Sequence, residues 1–138
     1  MSASSPSSTA GPASGRGFVM LLTGDGWGKS TAALGYAVRA STRGWPVTVV
    51  QFLKGGAWNG PEASLTTLSG VRWQAFTPGL TWGSENPKKL ARWAWDEALE
   101  AMNSPEGGLV VLDEVARAVD HGLLQAPEVA AALGRRNP

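Results

Sequence analysis

Thr23-Gly24-Asp25-Gly26-Trp27-Gly28-Lys29-Ser30-Thr31 follows the apolar run Phe18 to Leu22 and precedes Ala32-Ala33-Leu34-Gly35. A glycine-rich stretch set between a strand-like and a helix-like segment reads as a loop that cradles phosphate. Glycines let the backbone turn tightly and aim successive N–H groups at phosphate oxygens, and the helix that follows adds the positive end of its dipole. Lys29 supplies a mobile cation, and the Ser30 hydroxyl stands where such loops place a Mg²⁺ ligand. The candidate nucleotide-binding positions are therefore Gly24, Asp25, Gly26, Trp27, Gly28, Lys29, Ser30 and Thr31.

The pattern G-x-x-x-x-G-K-[ST] is met except at its first glycine, where Thr23 stands; Gly24 and Gly26 restore flexibility beside it. A dinucleotide-binding G-x-G-x-x-G fits less well, because Lys29 occupies its last glycine position. The plain alternative is a glycine-rich turn that binds nothing. The strand and helix patterns on either side argue against it.

With 138 residues the chain makes one domain, and 43% hydrophobic content with a formal net charge of +1 is ordinary for a soluble globular protein. That charge leaves no footprint for nucleic acid or a membrane surface. Apolar runs such as Leu109 to Leu112 fall far below the roughly 20 residues of a spanning helix. Zero cysteines exclude disulfides, thiolate metal sites and a cysteine nucleophile, and without a secretory signal the expected location is cytoplasmic. His121, the only histidine, sits in Asp120-His121-Gly122-Leu123, which reads as an exposed loop closing a helix rather than as part of a triad or metal site.

Residues 1–15 are Ser, Pro, Ala and Gly with little to anchor a core, so a disordered tail is expected there and a nucleotide-binding domain over 16–138. Phe18 to Leu22 is continuously apolar, as a strand buried on both faces would be. Ser30 to Thr42 carries Ala33, Leu34, Ala37 and Val38 at helical spacing, closed by Arg43-Gly44. Val47 to Phe52 is β-branched and reads as a second strand, a parallel neighbour of the first. Glu62 to Leu68 suggests a short helix, Val71 to Phe76 alternates as an edge or half-buried strand, and Thr77 to Glu85 is irregular. Asn86-Pro87 caps a helix whose apolar face is Leu90, Ala91, Ala94, Trp95, Ala98, Leu99 and Met102, ending at Asn103-Ser104-Pro105.

Gly108 to Glu114 is an apolar strand that finishes in two carboxylates, and its tip is expected beside the glycine loop. In nucleotide-binding folds of this kind, the acid at such a strand end holds a water on Mg²⁺ opposite the loop Ser or Thr. Ser30, Asp113 and Glu114 are the metal candidates. Asp113 is the first choice, while Glu114 either assists or starts the helix Val115 to Val119 by meeting its dipole. Taken together these features describe an α/β fold of the P-loop NTPase (RecA-like) kind, a mostly parallel sheet flanked by helices.

Four segments then narrow the reading: TGDGWGKSTAALG at Thr23 to Gly35, VVQFLKGGAW at Val49 to Trp58, TPGLTWGSEN at Thr77 to Asn86 and VVLDE at Val110 to Glu114. Between Val19 and about Leu133 the chain resembles the P-loop ATP:corrinoid adenosyltransferases of cobalamin biosynthesis. The first and last segments are shared by many nucleotide hydrolases, whereas the middle two are far more specific. The resemblance implies transfer of the 5′-deoxyadenosyl group of ATP to Co(I) of a reduced corrinoid, with release of triphosphate. It makes Lys29 the catalytic cation on the leaving group and Mg²⁺ the cofactor. Leu80 and Trp82 match the family's pair facing the corrinoid, an apolar wall that disfavours a lower axial ligand. The implied partners are ATP, the corrinoid, an electron-donating flavoprotein and a second copy of the chain in a homodimer.

Asp25 and Trp27 stand where the family usually carries Asn and a cation, Leu80 replaces the more usual Phe, and Gly83 an acid. The family also continues beyond Pro138 into another strand, so a C-terminally truncated fold is expected. Two other readings stay open on the residues alone. One is a generic P-loop ATPase or kinase, and the other a catalytically silent nucleotide-binding module.

Overall fold

The computed structural model describes residues 17–53, 70–76 and 86–136, with the side chains of 73–76 left aside. In chain order the elements are α1 (Lys29–Thr42), β1 (Val47–Phe52), β2 (Val71–Phe76), α2 (Pro87–Met102), β3 (Leu109–Asp113), α3 (Val115–Asp120) and α4 (Ala126–Arg135). The expected tail over 1–15, the helix at Glu62 to Leu68 and the irregular stretch Thr77 to Glu85 lie outside the described residues, Leu80 and Trp82 with them.

The strands form a parallel sheet in the order β2-β1-β3, so β1 is central, pairing with β2 from Val47 to Phe52 and with β3 from Val47 to Gln51. A parallel sheet takes helices on both faces, which is why every residue of β1 except the half-buried Thr48 is buried, without alternation. Val47 and Val49 of β1 and Val111 of β3 pack against Leu34, Ala37 and Ala40 of α1. Val50 and Phe52 face the other way, into a larger core with Ala91, Ala94, Trp95, Ala98 and Met102 of α2, Ala118 of α3 and Ala132 of α4. Phe52 and Trp95 are essentially sealed from solvent. Burial of a side chain such as Phe52 stabilises the fold by about 1.5–3 kcal/mol.

Local chemistry sets the element ends. Asn86 caps α2, its side chain accepting from the Lys88 N–H at 3.0 Å, and Pro87 takes the first helical position. α1 ends as its sequence suggests: the N–H groups of Arg43 and Gly44 donate to the carbonyls of Ala40 and Ser41, and Gly44 adopts φ 77°. His121 is the exposed residue closing α3, in line with its reading as a loop residue.

One expected strand is absent. Residues 18–22 pair with no strand among the described residues, and Phe18 and Leu21 are 85% and 79% exposed. The central β1 is flanked by β2 and β3 and not by this segment. The reason is physical: a continuous apolar run supplies side chains suited to burial on two faces, but a strand exists only where a neighbour satisfies its backbone groups. Gly17, next to the run, does receive a hydrogen bond at its carbonyl from Arg136, which follows α4.

Gly108 starts β3 under a close constraint. Its φ is 120°, and a Cβ there would sit 2.3 Å from the Pro46 carbonyl oxygen, the same oxygen that accepts from Leu109 N–H to begin the β1–β3 ladder. Gly108→Ala is expected to cost more than about 3 kcal/mol, combining backbone strain with a blocked ladder. Urea denaturation checks this, and a loss below about 1 kcal/mol contradicts it.

α4 is tied to α2 by Arg92 and Glu128, paired through two hydrogen bonds of 2.5 and 3.2 Å. The hydrogen bond from Arg92 holds the Glu128 carboxyl below its ordinary 4.5, and the same bond raises Arg92. A depressed carboxylate stabilises the fold above its unfolded pKa, and that stability is lost as pH falls through the folded value. Both side chains are more than a third exposed, so solvent screening keeps the pair near 0.2–1 kcal/mol, about the usual range. Glu128→Gln should therefore lower stability by up to about 1 kcal/mol at pH 7. The difference should vanish once the pH is well below 4.5, as read from unfolding curves at the two pH values.

Candidate functional site

The glycine loop owes its shape to alternating backbone signs. Gly24, Gly26 and Gly28 have φ of 121°, 90° and 107°, whereas Asp25 and Trp27 between them are not among the positive-φ residues. Alternation of this kind turns successive N–H groups toward a common point, forming an anion-binding concavity. A Cβ at any of the three glycines would meet nothing within 4 Å, so conformation rather than crowding requires glycine there.

Lys29 braces the loop from inside, its Nζ donating to the carbonyls of Gly24 at 2.6 Å and Gly26 at 2.9 Å. Gly28 is the N-cap of α1, with no side-chain cap bond, so the cap itself does not shield the N–H groups of the first turn. Asp25 and Trp27 point no bulk into the protein: both are exposed, Trp27 completely. A fully exposed tryptophan contributes nothing to the packing of the fold.

The carboxyl end of the sheet meets this loop. Ser30, in the first turn of α1, donates from Oγ to Asp113 Oδ1 at 2.8 Å, bridging 83 positions of sequence. Asp113 ends β3 and is only 8% exposed. The expected proximity of the acidic strand tip to the glycine loop is thus present. A hydroxyl and a carboxylate oxygen converging beside the glycine loop are hard donors of the kind Mg²⁺ takes.

Glu114 follows Asp113 but turns away from this pair. It adopts φ 64° as the N-cap residue of α3, without capping through its side chain, and its carboxylate lies 3.9 Å from Arg117 Nε. The backbone turn there separates the directions of two consecutive acids. Asp113 faces the loop, and Glu114 faces α3.

Gln51 is the member of the site that sequence reading assigned no role. In the parallel register it stands opposite Asp113, it is fully buried, and its Nε2 donates to Asp113 Oδ2 at 3.0 Å. The available signal was the one polar residue of Val49-Val50-Gln51-Phe52, at the carboxyl end of the strand. Asp113 is consequently held through both oxygens, by helix α1 on one side and strand β1 on the other.

The sequence matches the family described as ATP:corrinoid adenosyltransferase BtuR/CobO/CobP over residues 15–138. It is 37% identical over 124 residues to the corrinoid adenosyltransferase of Escherichia coli strain K12, covering 88% of this chain and 63% of that protein. The corrinoid adenosyltransferase of Pseudomonas aeruginosa is 37% identical over 125 residues, with 88% and 62% covered. That of Sinorhizobium sp is 31% identical over 128 residues, with 89% and 60% covered. The chain spans somewhat less than two thirds of the length of these curated relatives.

Removing the Ser30 hydroxyl tests whether the bridge contributes to the fold. Ser30→Ala should cost about 1–2 kcal/mol, since a mostly buried carboxylate loses a donor. Equal unfolding free energies for the two proteins would contradict the bridge.

Proposed function

The chain belongs to the ATP:corrinoid adenosyltransferase family, and from that premise we propose that it transfers the 5′-deoxyadenosyl group of ATP to the cobalt of a reduced corrinoid. The observation that carries this reading is the junction of the glycine loop with Asp113 through Ser30. It supports a triphosphate site at the carboxyl end of a parallel sheet, in a P-loop, RecA-like arrangement. Ligands of open α/β sheets bind at that end.

The chemistry asks little covalent work of the protein. Co(I) donates an electron pair to C5′ of the ribose, the Co–C bond forms as the C5′–O bond breaks, and triphosphate leaves with the bonding pair while cobalt becomes Co(III). What remains is to hold ATP and to stabilise charge on the leaving group. The N–H groups of Gly24 to Thr31 bind the phosphates. Lys29, now braced on two loop carbonyls, carries its positive charge at the same concavity. Ser30 and Asp113 suit Mg²⁺, and Glu114 would reach the ion only if its carboxylate left Arg117. When bound, the ion neutralises triphosphate charge.

Leu80 and Trp82 are proposed, from the resemblance, as the apolar wall against the corrinoid. A flavoprotein electron donor, a homodimer and a cytoplasmic location belong to the same proposal. None of the described helices is long and apolar enough to cross a membrane.

Anaerobic incubation with ATP, Mg²⁺ and chemically reduced cobalamin provides the test. A photolabile cobalt–carbon product with an equal amount of triphosphate is expected. ADP formed without corrinoid would assign the chain to phosphate-bond cleavage instead, and ATP binding without any product would assign it to silent nucleotide binding. Lys29→Ala should abolish ATP binding in titration calorimetry without unfolding the chain. Unchanged affinity would refute the loop as the phosphate site.

A further inference from the structure

We propose that Gln51 is a positioning residue that aims the Asp113 carboxylate at the metal-bearing end of the triphosphate site. The inference rests on the reading of the loop and Asp113 as that site, and it concerns how the carboxylate is kept in place while its partners change.

The two oxygens of Asp113 are tied in chemically different ways. Oδ1 accepts from the Ser30 hydroxyl at 2.8 Å, and Oδ2 accepts from the Gln51 amide at 3.0 Å. A hydroxyl both donates and accepts, so Ser30 can give up the carboxylate and offer a lone pair to a cation. An amide N–H only donates. Gln51 can thus hold Oδ2 without competing for the cation, leaving Oδ1 to be released when Ser30 changes partner.

Gln51 also has a firmer mounting than Ser30. Its strand is hydrogen-bonded on both sides, by β2 and β3, and its side chain is 0% exposed. Val47 and Val49, on the same face of β1, are apolar and pack under α1. A hydrophobic residue at position 51 would continue that packing without the cost of burying an amide. The parallel register, Gln51 opposite Asp113, explains why an amide stands there. The result is a carboxylate restricted to one orientation before any ligand arrives. Partners of this kind behind a metal-binding group typically account for about 10- to 100-fold in metal affinity.

Gln51→Met, similar in volume but without a donor, separates positioning from packing. ATP affinity is measured by titration calorimetry for the full chain, once with Mg²⁺ and once with a chelator. Wild type should bind ATP more tightly with Mg²⁺. The variant should keep its metal-free affinity within about twofold and lose about tenfold of the Mg²⁺-dependent gain. An undiminished gain overturns the proposal, as does an equal loss with and without metal, which marks a packing role. A wild type with no Mg²⁺-dependent gain would refute the site reading itself. A second measurement uses wild type alone: the Gln51 side-chain amide protons, followed by NMR, should stay protected from solvent exchange when Mg²⁺–ATP binds. Loss of that protection would overturn the proposal even if the variant failed to fold.

Discussion

The hydrogen bond from Ser30 Oγ to Asp113 Oδ1 ties the start of α1, and with it the glycine loop, to the end of the sheet. Among the described residues little packs on the loop: its glycines are exposed, and Trp27 is wholly in solvent. Its shape comes from backbone sign alternation and from Lys29 gripping two of its carbonyls. Its position comes from α1, whose Leu34, Ala37 and Ala40 seat the helix on β1 and β3, and from the Ser30 bridge at the end of that helix. The bridge brings the N–H groups of the loop and the acidic strand tip to one place in the fold.

The sheet supplies the rigidity on which this junction depends. β1 lies between two parallel neighbours and is covered by α1 on one face and by α2, α3 and α4 on the other. Placing Gln51 in that strand puts a hydrogen-bond donor where side-chain freedom is smallest. The strand therefore holds Asp113 from the side of the sheet, opposite the hold of Ser30 on α1. Preorganisation of this kind lowers the cost of gathering charge at the moment of reaction.

Much of this was legible in the sequence because local patterns carry it. The Asn86-Pro87 cap, the apolar face of α2 and the Arg43-Gly44 ending depend on neighbours within one or two turns. Asp113 was legible from its place at the end of an apolar run downstream of the loop. Long-range pairing was not. Residues 18–22 have the composition of a buried strand, yet composition does not provide the backbone partner a strand requires, and β1 took its neighbours elsewhere. Gln51 escaped for a related reason, since its role follows from register with β3, 62 positions away. Likewise the φ of Glu114, which separates two adjacent carboxylates, is a backbone property invisible in the letters Asp-Glu.

The loop and the acidic strand tip are proposed to form one triphosphate and metal site. The most direct measurement is a crystal structure of the chain with Mn²⁺ and ATP, the ion located by its anomalous signal. The triphosphate should lie in the concavity of Gly24 to Thr31, with the ion beside it, bonded to Ser30 Oγ and held on the Asp113 side directly or through a water. A triphosphate bound away from the loop, or an ion remote from both Ser30 and Asp113, would contradict it.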